Sequence, residues 1–181
     1  MRAVIVGTSG HYEYAFDAKQ CGVEIIAVSP ADKSENTDAC IKKFTELGHS
    51  VAHVEDYTKL LDLKPDIAII NSVFSRNCEL SIYFLEHGVS VFCEKPCASS
   101  IDELAELEKA YRDSKEKYGT CYAGMFGLSY EDWAETVREL VSSGAPYHSD
   151  KNTFVFNRES IHSPKYSILL LSDLLSIMLG T

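Results

Sequence analysis

The chain has 181 residues, 45% hydrophobic and 24% charged, with a formal net charge of −10; that length holds one good-sized domain and at most a small appendage. So acidic a chain lacks the basic face that a nucleic-acid backbone or an anionic membrane surface requires, and neither is expected as a partner. The apolar run Ala3-Val4-Ile5-Val6 stops at Gly7, too short for a secretory core. The apolar stretch at 168–179 is broken by Ser172, Asp173 and Ser176, too short to span a bilayer.

From residue 2 to about 124, short apolar runs alternate with helical patterns, the mark of βαβ units and a parallel sheet. Strands are predicted over 2–6, 24–28, 50–53, 66–70, 90–93 and 120–124, several of them continuous rather than alternating, as befits strands covered on both faces. Helices are predicted between them over 12–20, 37–47, 57–63, 76–86 and 101–117. The last is the best marked: Ser99 or Ser100 caps it, Asp102 and Glu103 fill its first turn, and Lys115 and Lys117 precede Gly119. Leu104, Leu107 and Tyr111 fall at helical spacing and are expected to form its buried stripe. Beyond residue 125 the pattern changes: a helix over 130–143, a polar connection over 145–151, a strand over 153–156 and an apolar helix over 167–179. The expected organisation is an α/β, Rossmann-type doubly wound sheet over 1–125 and a short α+β remnant over 126–181. The 167–179 helix is apolar on most faces, so a second copy or a partner subunit is expected to cover it.

The first predicted strand ends in Gly7-Thr8-Ser9-Gly10-His11-Tyr12. A tight glycine turn at that point lets backbone N–H groups approach a diphosphate. A Gly-x-Gly-x-x-Gly fingerprint starting at Gly7 would have its second glycine at Ser9 and its third at Tyr12. Gly7, Thr8, Ser9, Gly10 and His11 are therefore candidate cofactor contacts, of a weakened kind. The acid that usually follows the second strand is replaced by Ser29, 22 residues after Gly7. Ser29 can hydrogen-bond a ribose without repelling a 2′-phosphate, and Lys33 nearby can attract one, so NAD and NADP stay undistinguished, with a slight lean toward tolerating NADP. Asp32 is the alternative partner for the ribose.

The cysteines at 21, 40, 78, 93, 97 and 121 lie in or beside apolar segments and read as reduced core thiols of a cytoplasmic protein. Cys93 and Cys97 have no second pair, and the histidines share no spacing, so no metal site is expected.

The run from Asp66 to Pro96 is the most informative. A strand leading to Asn71 is followed by a helix closing at Gly88, then by Val89-Ser90-Val91-Phe92-Cys93-Glu94-Lys95-Pro96. A strand terminating in Glu-Lys-Pro after such a helix resembles the glucose–fructose oxidoreductase and inositol dehydrogenase (Gfo/Idh/MocA) family. Glu55-Asp56-Tyr57 and the helix from residue 99 match that family's layout too, and the likeness runs from Met1 to about Ala145. The resemblance implies an NAD(P)-dependent oxidoreductase acting on a sugar, polyol or related alcohol. It implies that Lys95 stands beside nicotinamide and substrate as the polarising or proton-handling group, that Glu94 orients it, that Asn71 and Glu94 join the cofactor contacts, and that the Lys95–Pro96 bond is cis.

The same resemblance marks departures. The family's second domain is built on a large sheet, and a helix at its junction carries Asp-x-x-x-His, the imidazole moving the proton. Aligned on Asp173 and Gly180, the matching positions are Tyr166 and Leu170, and a leucine carries no proton. Asn77 stands where the family often has His, and Gly127 near a frequent Arg. His162 is a candidate substitute imidazole. The readings kept open are an oxidoreductase, truncated or completed by another subunit, a dinucleotide-binding relative without catalysis, and a Rossmann scaffold serving protein contacts.

Overall fold

The computed structural model describes residues 1–125 and, further along, the backbone of Tyr147–His148 and Thr153–Phe154. Six parallel strands form one sheet: β1 (Arg2–Val6), β2 (Glu24–Ser29), β3 (Ala52–His53), β4 (Ile67–Ile70), β5 (Ser90–Cys93) and β6 (Tyr122–Gly124). Their spatial order is β3-β2-β1-β4-β5-β6. Order reverses between β1 and β4, which opens a crevice at the carboxyl ends of those two strands. The remaining pair, β7 (Tyr147–His148) and β8 (Thr153–Phe154), is antiparallel. Strand β8 falls within the one expected at 153–156, whereas β7 lies in the expected polar connection.

Side chains leave successive strand positions on opposite faces, and both faces of this sheet are apolar. Ala3, Ile5, Ile25, Ile67, Ile69 and Phe92 join one core layer, which Phe44 of α1 (Asp38–Glu46) closes. Val4, Val6, Ala68, Ile70, Val91 and Cys93 face the other, against Leu80, Phe84 and Leu85 of α2 (Phe74–Glu86) and Leu107 of α3 (Ile101–Tyr118). Continuous apolar runs are thus the pattern of a sheet buried on both sides.

Three expectations need correction. Residues 12–20 do not form one α-helix: two four-residue 3₁₀ turns, Tyr12–Ala15 and Ala18–Cys21, are separated by a break at Asp17. There the rings of Tyr12 and Phe16 pack on Phe44, with centroids 6.3 and 5.6 Å from it, and aromatic packing decides the path of a segment of modest helix propensity. Residues 57–63 are helical but of the tighter 3₁₀ kind, started by Asp56, whose carboxylate accepts the Thr58 N–H. Finally, Leu104 is 49% exposed, so the buried stripe of α3 runs through Leu107 and Ser114 with Tyr111 half-buried. Among the described residues no helix is long and apolar enough to cross a membrane.

Candidate functional site

The turn after β1 is dictated by its neighbours. Gly7 has φ of +84°, and a Cβ there would lie 2.8 Å from the Asn71 carbonyl oxygen and from Ser72 Cα, both backbone atoms that cannot yield. Its N–H donates to the Ser29 carbonyl (2.9 Å), which ties the turn to the end of β2. The N–H groups of Ser9 and Gly10 then donate to the Asn71 carbonyl at 2.9 and 3.1 Å, folding the loop over the end of β4. A Cβ on Gly10 would meet Glu94 Cγ at 2.8 Å and Asn71 Oδ1 at 3.2 Å. The absence of a side chain at residue 10 is what admits these two groups beneath the loop.

Glu94, the residue after β5, is 1% exposed yet fully partnered. One carboxylate oxygen accepts the His11 backbone N–H (2.6 Å) and faces His11 Nδ1 (2.7 Å); the other accepts the Lys95 backbone N–H (2.8 Å) and the Lys95 ammonium (3.0 Å). Burial pushes the Glu94 pKa up, but the hydrogen bonds from His11 and Lys95 outweigh it and hold the carboxyl below its ordinary range. Lys95 Nζ is also 3.4 Å from His11 Nδ1. The shorter contact to carboxylate claims the Nδ1 proton, so both nitrogens act as donors around one buried anion. The result is a compact constellation in which Glu94 fixes both side chains while each stays about half exposed, His11 at 55% and Lys95 at 45%.

The turn carrying Lys95 is held from below. Asn77, fully buried on α2, donates through Nδ2 to the carbonyls of Glu94 (3.2 Å) and Pro96 (3.1 Å). The Lys95–Pro96 bond is cis, as the family resemblance implies. Asn77 thus serves as the brace of the turn, a role its alignment with a family histidine did not announce. Cys93 and Cys97 bracket the same turn; a hydrogen bond from Cys93 brings the Cys97 thiol down to about 7 against the effect of its burial. All six cysteines are free thiols. Among the described residues no cluster of three or more His, Cys, Asp or Glu side chains is arranged to hold a metal ion.

Two observations bear on whether a dinucleotide fits here. Asn71 is fully buried at the end of β4, and both its Oδ1 and Nδ2 lack a hydrogen-bond partner. A buried polar side chain without partners is costly, and this one lies beneath the glycine turn at the crevice where order reverses. The exposed nitrogens of His11 and Lys95 gather at the same edge. The residues present therefore fit a polar, anionic ligand. Tyr12, at the third fingerprint position, turns its ring into the core against Phe44 and does not occupy the turn.

Ser29 departs from its expected role. It is fully buried and its hydroxyl donates to the Pro30 carbonyl (3.2 Å), so it presents nothing to a ribose. Glu35, which sequence reasoning passed over, ties this loop to the glycine turn: its Oε1 accepts the Ser9 hydroxyl (2.5 Å) and its Oε2 the Ala31 N–H (2.7 Å). The one signal available was an acid anywhere in the polar loop between β2 and α1. Thr8 sits beside it, its hydroxyl donating to the Asn36 carbonyl (3.2 Å). Gly127, His162, Tyr166, Leu170 and Asp173 lie outside the described residues.

A doubly wound parallel sheet with a glycine turn after β1 and polar groups converging on the carboxyl edge defines the dinucleotide-binding class of α/β domain. Residues 1–122 match the family model of the Gfo/Idh/MocA oxidoreductases, described as an oxidoreductase family with an NAD-binding Rossmann fold, and the chain belongs to that family. A glycosyl hydrolase family 109 protein of Akkermansia muciniphila is 29% identical over 115 residues, which are 59% of this chain and 24% of that protein. A Thermotoga maritima structure described as an oxidoreductase is 28% identical with a TM-score of 0.65, the match covering 80% of this chain and 44% of that one. The myo-inositol 2-dehydrogenase of Lactobacillus plantarum shares the fold at 22% identity and a TM-score of 0.58, over 80% of this chain and 41% of that one. So does the WlbA dehydrogenase of Chromobacterium violaceum, solved with NADH and UDP-GlcNAcA, at 20% identity and 0.58, over 80% and 40%. The chain spans less than half the length of each of these relatives.

Proposed function

We propose that this chain binds a nicotinamide dinucleotide across the carboxyl edge of β1, β4 and β5, and serves hydride transfer on a sugar, polyol or related alcohol. The observation that carries the reading is the Glu94-anchored pair of Lys95 and His11 beside the glycine turn, above the unpartnered amide of Asn71. In this reading the loop Gly7, Thr8, Ser9, Gly10 and His11 flanks the diphosphate. The Asn71 amide supplies hydrogen bonds it otherwise lacks. When bound, nicotinamide supplies reversible acceptance of a hydride. Lys95 holds its ammonium, positioned by Glu94, toward the substrate oxygen, where it polarises a hydroxyl or a forming carbonyl.

The substrate side of such a site requires more than the Rossmann domain. We assign it to residues 126–181 together with a second copy or a partner subunit, because the apolar stretch at 167–179 calls for cover.

Calorimetric titration with NADH and NADPH, followed by assay on a panel of sugars and polyols, tests this. At least one dinucleotide is expected to bind, and Lys95→Met is expected to keep that affinity within about threefold while abolishing turnover. No binding of either at millimolar concentration overturns the reading. Binding without turnover on any substrate supports the second reading, a dinucleotide-binding relative without catalysis, which Leu170 at the position of the family's imidazole favours.

A further inference from the structure

We propose that Glu35 is the residue that reads the adenosine ribose, and that it makes this site prefer NAD(H) to NADP(H). The inference rests on the dinucleotide reading above and deepens it by assigning the choice of cofactor to a loop residue outside the usual position.

The carboxylate of Glu35 bridges two structures that meet at the crevice: Oε1 holds the hydroxyl of Ser9, and Oε2 holds the N–H groups of Ala31 (2.7 Å) and Asp32 (3.4 Å), just past the end of β2. Ser9 occupies the second fingerprint position, where the backbone passes nearest a diphosphate. A ribose attached to that diphosphate on the β2 side therefore meets Glu35 before any other acid. Ser29, at the standard position, is sealed beneath the surface with its hydroxyl on Pro30.

Asp32 directs its carboxylate back into its own loop, accepting the Ser34 N–H (2.9 Å) and hydroxyl (2.6 Å). Arg76, which reaches the loop after β2 at Ala31, is already committed. It donates through Nη1 to the Ala31 carbonyl, through Nε to Glu79 (3.0 Å), and its guanidinium lies 5.8 Å from the Tyr57 ring. Lys33 is an exposed side chain of the same loop. Glu35 is thus the charged group of this loop that touches the glycine turn, while Arg76 is held on Ala31 and Glu79.

A 2′,3′-diol brings two O–H donors, and a carboxylate is the acceptor that takes both, each as a charge-assisted hydrogen bond. A 2′-phosphate brings only acceptors and up to two negative charges to the same spot, with Glu35 in contact and Asp32 close behind. The pull of Lys33 on a 2′-phosphate is thereby opposed by the carboxylate that holds Ser9.

The alternative role for Glu35 is a mere staple between loop and glycine turn, and the variant is chosen to separate the two. Glu35→Gln keeps an oxygen for the Ala31 N–H, removes the charge, and turns the other oxygen into an N–H donor that the Ser9 hydroxyl can accept. Fluorescence titration of NADH and NADPH is expected to give wild-type protein at least a roughly tenfold preference for NADH, about the worth of one charge-assisted hydrogen bond. In Glu35→Gln the NADH affinity falls and the NADPH affinity rises, so that the ratio approaches one, whereas loss of a staple lowers both together and leaves the ratio unmoved. Competition of ADP-ribose against its 2′-phosphorylated form, on the wild-type chain, asks the same question with no variant to fold. Equal affinity of wild type for both forms, or a ratio unchanged in Glu35→Gln, overturns the assignment while leaving dinucleotide binding intact. Failure of wild type to bind either overturns the dinucleotide reading and this assignment with it.

Discussion

His49 illustrates how much a single side chain commits in this fold. It is 4% exposed at the end of the α1 connection, and its Nδ1 accepts the Ile25 N–H at 3.1 Å, so the proton of the neutral ring sits on Nε2. Burial lowers its pKa, with Glu24 pulling the other way and Lys19 adding to the lowering. A proton on Nδ1 would face the amide it now accepts from. The folded state therefore binds this proton less readily than the unfolded chain, whose histidine titrates near ~6.5. The stabilisation is complete above that value and is lost progressively as pH falls below it, toward the lowered folded pKa. Urea unfolding at pH 7.5 and 5.5 is expected to give a smaller unfolding free energy at the lower pH, and His49→Gln, which retains an acceptor for Ile25, is expected to flatten that difference. An unchanged slope in the variant counts against the assignment. At the same scale, Gly7 was legible in the sequence because only a glycine tolerates its φ of +84° against the Asn71 backbone. Glu35 was not, because its role depends on a loop path that brings it back to Ser9, and loop paths leave no periodic trace.

Elements were legible where burial is two-sided or a cap is spelled out. Strands β1, β4 and β5 lie where uninterrupted β-branched and apolar residues predict them, and α3 starts where its cap does. Ser100 Oγ accepts the Glu103 N–H (3.1 Å), and Glu103 returns a carboxylate to the Ser99 N–H (2.7 Å), a reciprocal capping arrangement displaced by one residue. Ser100→Ala is expected to cost about 1 kcal/mol of stability, the usual worth of an N-cap, read as a lower urea midpoint with an unchanged m-value. A change below ~0.3 kcal/mol would mean that the second half of the arrangement satisfies the helix end alone. The misread element, residues 12–20, has no such markers: its aromatic spacing suits a helix, but the rings are spent on Phe44 and the chain turns at Asp17. Leu104 was misjudged for a related reason, since helical spacing defines a face but not which turn of that face meets α2.

Considered as a whole, the domain assembles its candidate site from segments far apart in sequence. The glycine turn follows β1, Glu35 follows β2, Asn71 follows β4 and Glu94 with Lys95 follows β5, and parallel order brings these four ends to one edge. None of these groups is near the others in an unfolded chain, so a dinucleotide that binds here binds the folded state alone. Its effect on stability then follows mass action: ligand at a hundredfold excess over its dissociation constant adds about 2.7 kcal/mol. For a chain of this size roughly 2–4 °C accompanies each kcal/mol, so the melting temperature is expected to rise by about 5–10 °C. The rise should continue with the logarithm of ligand concentration, since linkage has no saturation once the folded site is full. NADPH at the same concentration is expected to raise it less, by an amount that tracks its weaker binding. Differential scanning calorimetry across a ligand series measures both the slope and the difference between cofactors. A melting temperature indifferent to either dinucleotide at millimolar concentration would mean that the four strand ends converge without forming a cofactor site.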